Sequence, residues 1–316
     1  VSVFSDLNNL TDISMDHRYI SICGMTEKEL LTNFKEGISE LAEANGDTEE
    51  ATIAKLKARY DGYHFEENTV GIYNPFSVLN TLSRLRYKDY WFETGTPTFL
   101  VDLLKMHNYR LPDMTKERVS DDVINSVDSL STNPIPVIYQ SGYLTIKGYD
   151  ERFKKYLLGF PNKEVEEGFL NFLLPLYCSA GDRSAFMVDE FVKDVEAGHV
   201  EQFMNRLTAF FADNSYQVAG EAELYFQNAL YLIFKIMGFH TQVEIPTSDG
   251  RMDVLIQTSD YIYIIECKLD GSAEEALQQI EVKNYAAPFA MDKRTVVKLG
   301  INFSSKIRGV ESLLVG

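Results

Sequence analysis

The segment Tyr261–Asp270, YIYIIECKLD, constrains the fold of this chain more than any other stretch. Five apolar or aromatic residues run without a break and are followed by an acid and an amine two positions apart. Residues i and i+2 of a strand share a face, so Ile262, Ile264, Glu266 and Lys268 belong to one side and Tyr261, Tyr263, Ile265 and Cys267 to the other. Apolar residues on both sides predict a strand covered on both faces, as in an α/β sheet, with charge only at its end. Burying a carboxylate and an ammonium in one small space is costly unless each is compensated, so the pair requires an explanation beyond packing.

Its neighbours sharpen the requirement. Met252–Gln257 reads as a preceding strand, and the turn at Thr258–Asp260 makes the two a hairpin that brings Asp253 close to Glu266. Two adjacent carboxylates repel, and a divalent cation between them reverses the balance. Mg²⁺ suits a few carboxylates with retained waters, and Mn²⁺ is its alternative here. Around this hairpin the pattern predicts a strand near Thr241–Ile245, a helix in SAEEALQQIEVKNYA and a strand in RTVVKLGINFS. The helix EAELYFQNALYLIFKIMGF upstream carries a core stripe of Phe226, Leu230, Ile233 and Met237, stopped by Gly238. Glu223 falls on the line of that stripe, with Glu221 as a competitor that periodicity does not dismiss. Gln279, in the following helix, is placed to bond a water or a phosphate.

The 316 residues, 45% of them hydrophobic, suffice for two or three domains with cores. Thr26 and Glu29 have the spacing of a capping box at the head of a helical stretch reaching Tyr60, with a break in NGDT. Asn74 and Pro75 mark another helix start. YLTIKGY and KYLLGF read as a hairpin after short helices, a winged-helix-like arrangement, and helices resume from Glu164 to about Phe211, with ADNSYQ as a linker. Trp91, the tyrosines and the five scattered histidines, His17, His64, His107, His199 and His240, read as packing or surface residues without ligand spacing. The three cysteines, Cys23, Cys178 and Cys267, form no disulfide framework and no C-x-x-C knuckle, in keeping with a reducing, cytoplasmic setting. The best apolar run, ALYLIFKIMGF, is interrupted by Lys235, so no membrane span is expected.

A net charge of −17 argues against broad nucleic-acid binding but leaves room for a small basic site. Lys293, Arg294, Lys298, Lys306 and Arg308 form a late basic cluster that suits a phosphate backbone, or equally a solvated edge. VSVFSDLNNL begins without Met or signal peptide and reads as a strand entering a polar turn, so the chain is expected to be a fragment.

GRMDV followed by ECK, with an upstream helical Glu and a downstream Gln-containing helix, resembles the PD-(D/E)XK nuclease superfamily. GFHTQVEIPTSDGRMDVLI and YIYIIECKLDGSAEEALQQIEVKNYA resemble more narrowly the nuclease-like domain ending a bacterial family whose N-terminal half is AAA-ATPase-like. FSDLNNLTDI, YDGYHF, YNPFSVL, YWFETGTPTFL, SGYLTI and GFPNKEV are similar to the middle of that family. The resemblance implies a restriction-endonuclease-like mixed α/β sheet flanked by helices over 211–316, a helical lid-like and winged-helix-like region over 26–210, and a remnant of the ATPase core over 1–25. It implies Mg²⁺- or Mn²⁺-dependent phosphodiester hydrolysis of nucleic acid, DNA before RNA, with Asp253, Glu266 and Glu223 as metal ligands, Lys268 as catalytic amine and Gln279 as accessory residue. ATP would act only through the absent half, since no G-x-x-x-x-G-K-[S/T] loop occurs here, and Asn8 or Asn9 would lie near a γ-phosphate sensor. Some superfamily members carry a His soon after the helical Glu, where this chain reads ELYFQ. The competing implication is a non-catalytic nuclease-fold module that regulates or docks an ATPase, with an oligomer compatible with either.

Overall fold

In a computed structural model of the chain, the described residues are 13, 15–94, 98–124, 133–177, 184–212, 222–238, 240–244, 247–248, 251–307 and 309–316. The strand expected in 1–10, most of the linker ADNSYQ, Cys178 and Arg308 lie outside them. The chain divides into two units: Val1–Tyr109 with Asp113–Phe169, and Arg110–Pro112 with Leu170–Gly316.

The first unit is mainly helical, with α1 Glu27–Asn33, α2 Lys35–Asn45, α3 Glu49–Tyr60, α4 Pro75–Arg84, α5 Thr98–Met106, α6 Asp121–Ile124, α7 Ile135–Gln140 and most of α8 Lys163–Leu173. Thr26 and Glu29 close the capping box that starts α1. The single helix read from Thr26 onward is in fact two, because Phe34 leaves helical geometry at φ −122° and ψ 26°. Thr32 and Asn33, both poor helix formers, precede the break, while Leu30 and Ile38 still enter one core with Leu56, Tyr60 and Tyr73. Asn74 accepts from the Phe76 N–H at 3.0 Å, and Pro75 occupies the first turn of α4 as expected. The hairpin of β2 Thr145–Asp150 and β3 Lys155–Gly159 is present, and a third strand, β1 Arg118–Val119, pairs with β3.

A buried carboxylate ties this unit together. Glu164, fully buried at the start of α8, accepts from Ser77 Oγ of α4 at 2.9 Å and from the Trp91 N–H at 3.0 Å. Burial pushes its carboxyl up to about 7, against the pull of those two donors.

The second unit holds α9 Ser184–Ala197, α10 Val200–Ala212, α11 Ala222–Met237, β4 Gln242–Glu244, β5 Thr247–Ser248, β6 Arg251–Gln257, β7 Tyr261–Leu269, α12 Ala273–Val282, β8 Thr295–Ser304 and β9 Gly309–Val315. The sheet order is β4-β6-β7-β8-β9, with β5 paired to β6. β7 and β8 run parallel, joined through α12, while β6 and β9 lie antiparallel on either side. This is the mixed α/β sheet flanked by helices that the sequence predicts; β9, which the sequence reading left unassigned, closes the far edge.

The two faces of β7 are covered as its alternation requires. Ile262 and Ile264 pack with Ile280, Leu277 and Leu255 beneath α12. On the other face the Tyr263 hydroxyl donates to the Val195 carbonyl of α9 at 2.8 Å, and Phe303 packs on Phe211 and Phe226. The core stripe expected on α11, Phe226, Leu230, Ile233 and Met237, is buried, and Tyr225, Ala229, Leu232, Phe234 and Ile236 are buried with it. The helix is surrounded by α9, β4 and the Phe303 face, so it is apolar round most of its circumference. No described helix is long and apolar enough to cross a membrane.

A candidate nuclease site at the end of the central strand

The β6–β7 hairpin sets Asp253 directly opposite Glu266, with Leu255 opposite Ile264 in the same register. Position 253 is thus two residues from a side chain packed under α12. The backbone alone of residues 222, 223 and 251–253 is described, so the structure gives Asp253 its place in the sheet and Glu223 its place in the first turn of α11. α11 packs on the Phe303 face, whereas Glu266 and Lys268 belong by alternation to the face covered by α12. Glu221 lies outside the described residues.

Glu266 is fully buried, at 0% exposure, on the central strand of the sheet. Lys268 Nζ donates to its Oε1 at 2.8 Å and keeps about a fifth of its side chain exposed (20%). The same ammonium donates to Gln279 Oε1 at 2.5 Å. An ammonium carries three N–H donors, and among the described residues the third has no partner. Gln279 Nε2 is buried and likewise lacks an acceptor among them. Three of the five residues singled out in the sequence therefore form one connected polar chain, Glu266–Lys268–Gln279, with Asp253 abreast of it in the register.

Several residues that sequence reasoning missed hold this chain in place. Gly300 stands opposite Glu266 on β8, and a Cβ there would lie 2.3 Å from the Ala273 carbonyl and 2.9 Å from Leu277. The missing side chain lets α12 descend onto the sheet, which brings Gln279 within reach of Lys268. Asn302, opposite Lys268 and 1% exposed, accepts from the Gly271 N–H at 3.0 Å and donates to Glu311 Oε2 at 2.8 Å. Ser272 then caps α12 in a second capping box with Glu275. A Gly and an Asn at alternate positions of the apolar run LGINFS were the signals available for both.

The donors fit a hard divalent cation, because the acids aligned by the hairpin offer oxygen only. Among the described residues, no three His, Cys, Asp or Glu side chains converge as a metal cluster. The late basic cluster is divided. Arg294 is bound to Asp292 at 2.7 Å, Gln257 at 3.0 Å and the Thr258 carbonyl at 3.2 Å, and Lys298 to Glu281 at 2.5 Å.

A strand pair aligning two acids, an amine two residues on and a Gln-bearing helix between parallel strands define a class. Residues 221–312 match the family described as the PD-(D/E)XK nuclease superfamily. Over its whole length the chain is 31% identical to the "Uncharacterized protein in vnfD 5'region" of Azotobacter chroococcum mcd 1 and spans 60% of that relative. No solved structure matches the chain.

Proposed function

We propose that this chain hydrolyses phosphodiester bonds of nucleic acid, DNA before RNA, in a reaction that depends on Mg²⁺ or Mn²⁺. The observation that carries the reading is the Lys268 ammonium, shared between Glu266 and Gln279, beside the Asp253–Glu266 strand pair. Asp253 and Glu266 would hold the cation; the first turn of α11 that carries Glu223 belongs to a helix packed on the opposite face of the sheet, which does not favour it as a third ligand. When bound, a divalent cation stabilises charge growing on a phosphate oxygen and makes a bound water easier to deprotonate. Glu266 and Gln279 fix the Lys268 amine by two hydrogen bonds, and its remaining N–H is available to a phosphate oxygen or to the attacking water. The water oxygen bonds to phosphorus and gives up a proton to solvent, the bond from phosphorus to the leaving sugar oxygen breaks, and that oxygen takes a proton from solvent. Gln279 orients the amine and offers its buried Nε2–H to the same water.

The test is cleavage of plasmid and labelled oligonucleotides with Mg²⁺ or Mn²⁺, compared with Asp253→Ala and Lys268→Ala. Metal-dependent cutting that both changes abolish is the expected result; cutting that survives both overturns the assignment.

The same proposal extends to a coupling between this domain and an AAA-ATPase-like half in a longer protein, acting in the cytoplasm. Its support is the family resemblance of the first unit together with the length of the Azotobacter relative beyond this chain's span. In that reading 1–25 would complete the ATPase core, 26–210 would be its helical lid-like and winged-helix-like region, and 211–316 the nuclease-like domain. Cleavage by the longer protein with and without ATP, combined with its mass in solution, tests the coupling and the oligomer together.

A further inference from the structure

The described cations of the late basic cluster, Lys293, Arg294, Lys298 and Lys306, are spread along the length of β8 and beyond its two ends. Thr295 pairs with Tyr261 at the start of β7, so Lys293 and Arg294 lie at the end remote from the candidate site. Lys268 pairs with Asn302, so the turn after Ser304 lies at the same end as the catalytic amine. At about 3.3 Å per residue, Lys306 stands no more than about 13 Å beyond the level of Lys268. Arg294 and Lys298 are consumed by internal partners, as described above. Lys306 is exposed and has no hydrogen-bonded or ion-paired side-chain partner among the described residues. Ile307 beside it is 60% exposed.

A hairpin tip of this kind is ordinarily free to move, but this one is tied down. Asp270 adopts a left-handed φ of 52°, its N–H donates to the Phe303 carbonyl at 2.8 Å, and its carboxylate accepts from the Ser305 N–H at 2.9 Å and the Ser305 hydroxyl at 2.6 Å. The Lys306 N–H donates to the buried Ser304 Oγ at 3.3 Å. The turn that follows Lys268 and the turn that presents Lys306 are therefore clamped to one another. Of two nearby acids, Glu311 is bonded to Asn302, while Asp270, bonded to Ser305, keeps its charge and interacts electrostatically with Lys306. The result is a fixed, exposed cation with an apolar neighbour, held beside the catalytic strand.

We propose that the β8–β9 tip, through Lys306 and Ile307, is a nucleic-acid contact flanking the scissile phosphate, with Lys306 on a backbone phosphate and Ile307 against a sugar or base face. This rests on the nuclease reading and adds to it the element that grips the substrate. A lone ammonium recognises phosphate by charge and carries no sequence information, so the contact positions the strand without selecting it. An apolar residue next to it excludes water and can wedge against an unstacked base.

The experiment measures binding without turnover. A fluorescein-labelled DNA duplex and the matching single strand are titrated with the chain in EDTA, by anisotropy, over a series of KCl concentrations. Lys306→Ala is expected to reduce the slope of log affinity against log salt by about one and to weaken binding several-fold at low salt. Ile307→Ser is expected to weaken binding with the slope unchanged, and Lys293→Ala, at the remote end, to alter neither. Both tip residues are exposed, and unchanged melting temperatures verify that the variants fold. A native slope in Lys306→Ala overturns the tip assignment. If cleavage nevertheless still requires Mg²⁺ and Asp253, the nuclease reading stands without it. If the native chain neither cuts nor binds, the nuclease reading fails and takes this one with it.

Discussion

Lys268→Met removes one charge from a buried pair and leaves the aliphatic length nearly intact, so its cost isolates the electrostatics of Glu266. Glu266 is fully buried, and loss of the ammonium 2.8 Å away takes a hydrogen-bonded counter-charge from its Oε1. Breaking a buried pair in this way costs about 3–5 kcal/mol. Protonation sets a ceiling: neutralising a carboxyl of ordinary pKa near 4.3 costs about 1.36 kcal/mol per pH unit, hence roughly 4 kcal/mol at pH 7 and roughly 1 kcal/mol at pH 5. The sign follows from the folded state preferring the protonated acid in the variant, so stability is retained at low pH and lost as pH rises. Calorimetry of the transition of the second unit should show Lys268→Met melting about 10 °C below the native chain at pH 7 and converging on it near pH 5. Glu266→Gln combined with Lys268→Met removes both charges and should recover most of the loss. Mn²⁺ should stabilise the single variant, where a cation can replace the lost ammonium, and leave the double variant unchanged. A loss below about 1 kcal/mol, or one independent of pH, would refute the reasoning, since that is how a solvated surface pair behaves.

Other outcomes follow from individual contacts. Glu164→Gln should flatten the acid–neutral stability profile of the first unit. In the native chain, burial raises the carboxyl to about 7, so stability held by the protonated form is complete below about 4.5 and declines as pH rises through 7, by on the order of 3 kcal/mol, which chemical denaturation at each pH would reveal. Gly300→Val should cost about 1–3 kcal/mol and lift α12 from β8, read as faster amide exchange in Ala273–Val282, because its side chain would collide with the Ala273 carbonyl. Asn302→Ala removes the acceptor for the Gly271 N–H and should cost about 1–3 kcal/mol, with hydrogen exchange at Gly271 accelerating before that of the strands.

How far the sequence carries the structure depends on whether a signal is local. Strict alternation in YIYIIECKL assigned the faces of β7 correctly, and the short turn at Thr258–Asp260 set the register that puts Asp253 opposite Glu266. The capping spacings of Thr26 and Asn74 were equally self-contained. What escaped was set by partners distant in the chain. The core stripe of α11 is legible in its own spacing, whereas what covers its other sides, α9 and β4, is not. The break at Phe34 interrupts a pattern whose period survives it. Arg294 and Lys298 looked like members of a basic patch, and only the fold brings Gln257 and Glu281 to them. Gly300 shows its purpose only once α12 lies above it.

The β7–α12–β8 crossover gathers Glu266, Lys268 and Gln279 from a single turn of chain, and the β6 hairpin adds Asp253 from its immediate neighbour. Contacts so close in sequence are cheap in loop-closure entropy and form early. The polar chain is therefore expected to assemble in a nascent hairpin-and-helix intermediate, before the closing edge strand arrives. Refolding followed by pulsed hydrogen exchange should protect Met252–Gln279 ahead of Gly309–Val315.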